Sequence, residues 1–372
     1  MKIVIAPDSW KESLSALEVA SAIEQGFREI YPDAEYVKLP VADGGEGTVE
    51  AMVAATGGLL VPLTVTGPLG EPVEAFYGLS GDRQCAFIEM AAASGLGLVP
   101  PEKRNPLITT SRGTGELILQ ALEHGAKRII IGIGGSATND CGLGMLTALG
   151  FRFQKADESP AGILGGSLAA VAAIDGTAAD TRLADCTFEI ACDVTNPLCG
   201  PAGCSRVFGP QKGATEAIVA RMDGDIHHFA ALAEEACGTA GQDLPGAGAA
   251  GGLGFAFHVF LNGRLTPGID LILSAIGIDK ALAKADVLVT GEGRMDQQTA
   301  MGKAPAGVAQ LAKACQPHCL TLALCGSATP EAERVNAHGI DAYFPILHAP
   351  MTLSKAMDRA TAERNLRQTI QQ

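Results

Sequence analysis

Short apolar runs rich in β-branched residues recur along this chain, and several lead straight into a glycine-rich loop that carries charge. The clearest is Asp286-Val287-Leu288-Val289-Thr290, followed by Gly291-Glu292-Gly293-Arg294-Met295-Asp296 and, after Gly302-Lys303-Ala304-Pro305, by a helical run. The run predicts a buried strand that Gly291 and Gly293 break at its carboxyl end, with a loop beginning there. Glu292, Arg294, Asp296 and Lys303 all fall in that loop. Pro305 opens the next helix, so bare N–H groups and a positive dipole end would face whatever the loop holds. Such loops bind anions.

The same alternation recurs at both ends of the chain. Residues 2–6 read as a strand and Asp8 to Leu14 as a loop, and Ser15-Ala16-Leu17-Glu18 is a capping box opening a helix with Ala20, Ile23, Phe27 and Ile30 inward. A strand over 36–41 runs into Asp43-Gly44-Gly45-Glu46, then a helix ending at Gly57-Gly58. Near the C-terminus come strands over 286–290, 320–325 (ending in Gly326-Ser327) and 341–347. Strands alternating with helices predict a parallel sheet covered on both faces, with ligands at the carboxyl ends of its strands. Between these ends the texture changes. From about Leu60, short runs punctuated by proline and glycine suggest hairpins. A helix over 116–125, a strand over 127–133 with the loop Gly134 to Asp140, and a strand over 187–192 ending in Asp193 follow. This middle part reads as an inserted domain.

With 372 residues, 47% apolar and 18% charged, the chain is long for a single core, and two domains are expected. The fold class is α/β: a discontinuous Rossmann-like parallel-sheet domain, residues 1–60 plus 283–372, carrying an inserted second α/β domain, residues 61–282. A net charge of −14 without any basic block argues against nucleic acid or an anionic membrane as partner. Ten cysteines without a CxxC pair argue against zinc. The start, Met1-Lys2-Ile3-Val4-Ile5-Ala6-Pro7-Asp8, turns acidic before a signal-peptide core could form, and no run spans a bilayer. A reducing cytoplasm is the expected compartment.

Several nucleotide motifs can be tested by spacing. Gly132-Ile133-Gly134-Gly135-Ser136-Ala137 fits GxGxxG/A, but no acidic residue follows a second strand about 20 residues on. Gly246 to Gly251 fits the same pattern with no strand before it, so among 46 glycines the match has little weight. The P-loop fails because Ala304 follows Gly302-Lys303 and Gln297 stands where the first glycine should be. Kinase HRD and DFG signatures are absent.

Asp43, Asp193 and Asp296 each sit at a turn past a strand, with Glu46 and Glu292 close by. Any one could be a cap or turn former, but their recurrence at several strand ends points to chemistry. Lys11 and Lys303 lie against the loops, whereas Lys212 and Arg294 read as surface cations. His258 and His348 read as packing histidines and His227-His228 as solvated; no Ser-His-Asp arrangement is apparent.

Taken together, APDSWKESLSA (Ala6 to Ala16), PVADGGEGT (Pro40 to Thr48), IGGSATND (Ile133 to Asp140), CDVTNPL (Cys192 to Leu198), GPQKGA (Gly209 to Ala214), PGAGAAGGLG (Pro245 to Gly254) and TGEGRMDQQTAMGKAP (Thr290 to Pro305) resemble the type 1 glycerate kinase family. The resemblance covers residues 1 to about 348. It implies ATP- and magnesium-dependent phosphorylation of D-glycerate, on the 2-hydroxyl as in the bacterial enzymes, by two α/β domains with the active site in the cleft between them. Cys141 departs from the family, which carries glycine there, and this bears on the local turn and on thiol sensitivity should the residue be exposed.

Phosphoryl transfer needs magnesium held by carboxylates, cations on the transferring oxygens and a carboxylate to accept the hydroxyl proton. By position and type, Gly134, Gly135 and Ser136 with Gly291 and Gly293 are assigned to ATP phosphates. Asp193 and Asp296 are candidates for base and metal ligand, with Glu292 a further ligand. Lys11 and Lys303 would neutralise phosphate or clamp the carboxylate, Asp43 and Glu46 would bind the substrate's hydroxyls or the metal, and Arg294 would bind substrate. Phosphorylation at the 3-hydroxyl, a nicotinamide-dependent hydroxy-acid dehydrogenase and a non-catalytic metabolite sensor are the competing readings. A homo-oligomer is left open.

Overall fold

The computed structural model describes every residue but Asp43 and Glu46, so the assignments made to those two lie outside the described residues. Contacts divide the chain into two compact units, Met1–Gly58 with Ile269–Gln372, and Leu59–Gly268. The second border falls before the expected 282/283. Helices Gly268–Ile276 and Ile278–Leu282 bring Ile269, Leu273, Ile278 and Leu282 into one apolar cluster with Val4, Ala6 and Leu288 of the first unit. Each such buried side chain contributes about 1.5–3 kcal/mol, so packing sets the border.

In chain order the strands are β1 (Lys2–Ile5), β2 (Glu35–Lys38), β3 (Leu59–Thr66), β4 (Pro72–Leu79), β5 (Cys85–Glu89), β6 (Arg128–Gly132), β7 (Arg152–Gln154), β8 (Ala173–Asp175), β9 (Thr187–Ala191), β10 (Arg264–Thr266), β11 (Val287–Met295), β12 (Leu320–Ala328) and β13 (Ala342–Pro345).

The first unit holds the sheet β13-β12-β11-β1-β2, parallel throughout. Ile3 stands opposite both Val287 and Tyr36, which makes β1 the central partner of strands from the two ends of the chain. Alternation sends Ile3, Ile5 and Val289 to one face, against Val19, Ile23, Phe27 and Leu366, and Val4, Ala6 and Leu288 to the other, against Leu273 and Val308. The helix Ala16–Arg28 starts at the expected capping box, with Ser15 Oγ accepting from Glu18 N and Glu18 Oε2 from Ser15 N at 2.9 Å. It stops two residues before Ile30, which is exposed instead of inward.

One expectation is overturned. Gly291 and Gly293 do not break β11; the strand runs on to Met295, with Gly291 opposite Leu324 and Glu292 opposite Cys325. A Cβ on Gly291 would lie 2.1 Å from the Leu324 carbonyl oxygen, so glycine here permits a close approach to β12. Likewise β12 continues through Gly326 and Ser327, and a Cβ on Gly326 would come within 2.7 Å of the Gly293 carbonyl. The loop starts at Asp296.

The second unit is built on the mixed sheet β10-β9-β6-β5-β4-β3. The pairs β3-β4 and β4-β5 are antiparallel, as the proline and glycine punctuation predicts, and β5-β6, β6-β9 and β9-β10 are parallel. Its core gathers Ile129, Ile131, Phe188, Ile190, Leu253, Phe255 and Phe257. Strands β7 and β8 form a separate antiparallel ribbon. Among the described residues, no helix is long and apolar enough to cross a membrane.

Candidate active site

In the first unit, chain connections run outward from β1 toward β2 on one side and through β11, β12 and β13 on the other, so the order of the strands reverses beside β1. At the carboxyl ends of these strands lies a cavity of about 460 Å³. Its polar wall carries Asp8, Ser9, Lys11, Glu292, Arg294, Asp296 and Lys303; Trp10, Ile346, Leu347, Leu353 and Met357 supply the apolar side.

The segment after β1 is held against β11, Ala6 N donating to Val289 O and Asp8 N to Gly291 O, both at 2.8 Å. Asp8 Oδ1 accepts from Ser9 N at 2.6 Å. Trp10 and Leu14 then exchange backbone hydrogen bonds, which leaves Lys11 exposed on the turn between them. The buried Trp10 Nε1 and Ser13 Oγ, on residues of this wall, have no protein partner among the described residues, as occurs where a polar ligand or water completes the set.

The charged loop is organised by Thr299, which is fully buried. Its hydroxyl donates to Glu292 Oε1, and its oxygen accepts from Asp296 N at 3.0 Å. Glu292 is only 6% exposed, and its Oε2 stands 3.9 Å from Lys303 Nζ. Asp296 caps the short helix Gln297–Ala300, accepting from Gln298 N at 2.8 Å, while its Oδ2 lies 4.0 Å from Arg294 Nε. The capping role and a place on the cavity wall therefore coexist in one residue. Lys303 precedes the helix Ala304–Cys315, one residue earlier than Pro305 suggests.

Lys11, Glu292, Gly293, Arg294, Asp296 and Lys303 thus meet on one cavity wall. Gly291 lies behind it, buried in the sheet. Sequence reasoning passed over Asp8 and Thr299, whose residue types gave no signal. It also passed over the apolar wall from Leu353 to Met357, which lies beyond the motifs.

The second unit holds the remaining assignments. Gly134 and Gly135 are exposed at the end of β6, and Gly135 has φ 72°. The chain stays irregular to Gly142, and the next helix is Leu143–Ala148, so the strand-turn-helix geometry of a dinucleotide fingerprint is missing. Ser136 is buried, and its Oγ accepts from Lys212 Nζ at 2.7 Å. The same ammonium donates to Thr138 O at 2.6 Å. Lys212 is 2% exposed, which corrects its reading as a surface cation: the turn Pro210–Lys212 sends the side chain inward. Burial pulls its ammonium down to about 8.

Asp140 is fully buried and receives Ser111 N, Ser111 Oγ, Gly142 N and Gly144 N. Burial raises its carboxyl above the ordinary range although these donors pull the other way. Cys141 is fully buried at φ 49°, a left-handed conformation that suits glycine. Burial pushes its thiol well above the usual value, so the sensitivity expected of an exposed residue does not apply. Asp193 is exposed just past β9 and accepts from Gly268 N at 2.9 Å. His227 and His228 are exposed, as expected; His348 is also exposed, not packed in a core.

Among the described residues, no three or more of His, Cys, Asp and Glu form a metal-holding group. Magnesium bound with phosphates needs only one or two carboxylates, and Asp8, Glu292 and Asp296 on the cavity wall fit that requirement.

The glycerate kinase family model matches residues 3–372. The Escherichia coli K12 protein named glycerate 2-kinase is 55% identical over 375 aligned positions, covering 100% of this chain and 98% of that one. The Bacillus subtilis 168 glycerate kinase is 54% identical, covering 97% of this chain and 94% of its own. A crystal structure described as that of a glycerate kinase 2 from Salmonella typhimurium LT2 superposes with a TM-score of 0.92 at 54% identity, over 100% of this chain and 96% of that one. By fold and relatives the protein is a phosphotransferase. The chain belongs to the glycerate kinase family.

Proposed function

We propose that the protein transfers the terminal phosphoryl group of ATP to the 2-hydroxyl of D-glycerate, giving 2-phospho-D-glycerate and ADP. The observation that carries this reading is the cavity wall at the ends of β1 and β11, where Lys11, Glu292, Arg294, Asp296 and Lys303 bring cations and carboxylates together. The full-length similarity to the Escherichia coli glycerate 2-kinase supports the choice of hydroxyl.

In this reading Lys11 and Lys303 neutralise phosphate oxygens or hold the carboxylate of the acid, and Arg294, 68% exposed, reaches for the substrate from the rim. Asp193 and Asp296 divide two roles between them: one accepts the proton of the attacking hydroxyl, the other is a metal ligand, with Glu292 alongside. These carboxylates would hold Mg²⁺, which would supply positive charge to offset the charge developing on the phosphoryl oxygens. Gly134, Gly135, Ser136 and Gly293 present backbone and hydroxyl donors to phosphate. Gly291 keeps β11 close to β12 and serves the site indirectly.

Phosphorus NMR of a reaction with ATP, magnesium and D-glycerate, run beside a control without glycerate, tests the proposal. A glycerate-dependent 2-phosphoglycerate resonance is expected. A 3-phosphate would move the hydroxyl, and the absence of any glycerate-dependent product would overturn the activity.

A further inference from the structure

The Lys212 ammonium has its two hydrogen-bond partners in one loop, Ser136 Oγ and Thr138 O, and no carboxylate among the described residues lies within ion-pair distance. Cys204 and Asp140 are the titratable groups that bear on it, and the oxygens of Asp140 are already engaged by four donors. A buried cation without a counter-ion is costly to the fold, and such charges are retained where something compensates them.

The loop in front of it shows what that would be. Because Ser136 Oγ accepts from the ammonium, its own proton turns away from Lys212, and no described residue takes it. No described residue accepts from the N–H of Gly134 or Gly135 either, although both are exposed. Left-handed Gly135 bends the loop, and a Cβ on Gly134 would meet only open space. Three unused donors therefore stand at the end of β6, with the Lys212 charge directly behind the Ser136 oxygen. Successive bare amides of this kind form an anion-binding concavity.

We propose that Lys212 is the positioning residue of an anion site formed by Gly134, Gly135 and Ser136: it fixes the Ser136 hydroxyl as a donor to an anionic oxygen and supplies the charge that oxygen needs. The oxygen belongs to a nucleotide phosphate or to the carboxylate of the acid. The inference rests on the phosphotransferase reading for these ligands but not on which hydroxyl is phosphorylated.

Calorimetric titration with MgATP alone and with D-glycerate alone, on wild type, Ser136→Ala, Lys212→Met and the double variant, tests it and separates the two sources. Loss of one hydrogen bond to a charged group weakens binding by about 10- to 100-fold, so Ser136→Ala should show at least the lower figure for one ligand and little change for the other. Lys212→Met should weaken the same ligand at least as much. The double variant should match Lys212→Met, since without the lysine the Ser136 hydroxyl is no longer fixed as a donor. In turnover the loss should fall on KM of that ligand with kcat less affected, a split that general loosening of the fold would not give. Circular dichroism checks folding; should Lys212→Met fail to fold, Ser136→Ala, which leaves the lysine in place, still decides. Unchanged affinity for both ligands in folded Ser136→Ala overturns the site, and independent, multiplying losses in the double variant overturn the coupling. A wild type that binds MgATP but turns over no D-glycerate would leave this site testable by the same titrations while removing the proposed reaction.

Discussion

Thr299 donates its hydroxyl proton to Glu292 and, through the same oxygen, accepts the backbone N–H of Asp296, so one buried side chain sets two carboxylate-bearing residues of the cavity wall. Thr299→Val keeps the shape and removes both bonds. Leaving a buried acceptor without its donor destabilises by about 1–3 kcal/mol, and misplacing catalytic groups lowers rate by up to about 10²-fold. Urea unfolding and kcat/KM should both report a loss, and Thr299→Ser should recover most of each. A stable, fully active valine variant would leave the hydroxyl without a role.

A carboxylate that takes the proton of the attacking hydroxyl contributes about 10²- to 10⁴-fold to the rate. Asp296→Asn and Asp193→Asn should therefore differ: the base shows that fall in kcat, and the metal ligand shows a raised magnesium requirement as well. Magnesium titration of each variant separates the roles. Near-normal turnover in both would return them to the capping and turn-forming positions that Gln298 N and Gly268 N already give them.

Lys212 should write itself into the pH dependence of stability. Its folded value lies near 8 and its ordinary value is 10.5, with Cys204 and Asp140 the charged or titratable groups that bear on it. Between these limits the unfolded chain holds a proton that the folded chain has released, so unfolding free energy rises with pH across the window. Subtracting the Lys212→Met curve from that of wild type should isolate a difference that climbs from about pH 8 and levels off past the ordinary value. A flat difference would show that the lysine titrates alike in both states.

Cys141 occupies a left-handed backbone position with its side chain fully buried. Glycine relieves the backbone and gives up the packing; valine, branched at Cβ, relieves nothing and adds crowding. Thermal melts should rank Cys141→Gly above Cys141→Val, with the valine variant lower by about 1–3 kcal/mol or more. A more stable valine variant would mean that packing, not backbone conformation, governs the site.

What could be read from the residues alone tracks the physics of each signal. The alternation around Ile3, Ile5 and Val289 is periodic and local, so the parallel sheet and the carboxyl-end location of the charged loop are legible. Glycine is ambiguous by nature. At Gly57 it ends a helix, as read, but at Gly291 it allows two strands to close in, a distinction set by Leu324 far away in sequence. Lys212 was misread because its flanking proline and glycines speak only of a turn, whereas the direction of its side chain depends on the distant loop at Ser136. Leu353 and Met357 had no motif to announce them, and their place on the cavity wall comes from tertiary packing alone.

Strand β1 takes its neighbours from opposite ends of the polypeptide, Tyr36 on one side and Val287 on the other of Ile3. During synthesis, residues 59–268 emerge from the ribosome before β11 does, so the inserted unit can fold while the first waits with two of its five strands. In that interval β1 presents an unpaired edge, the kind of surface that recruits wrong partners. Loop-closure entropy grows only slowly with length, so the long wait adds little to the equilibrium cost of joining the two segments. The vulnerability is one of timing, and it ends when residue 287 emerges and takes its place beside Ile3.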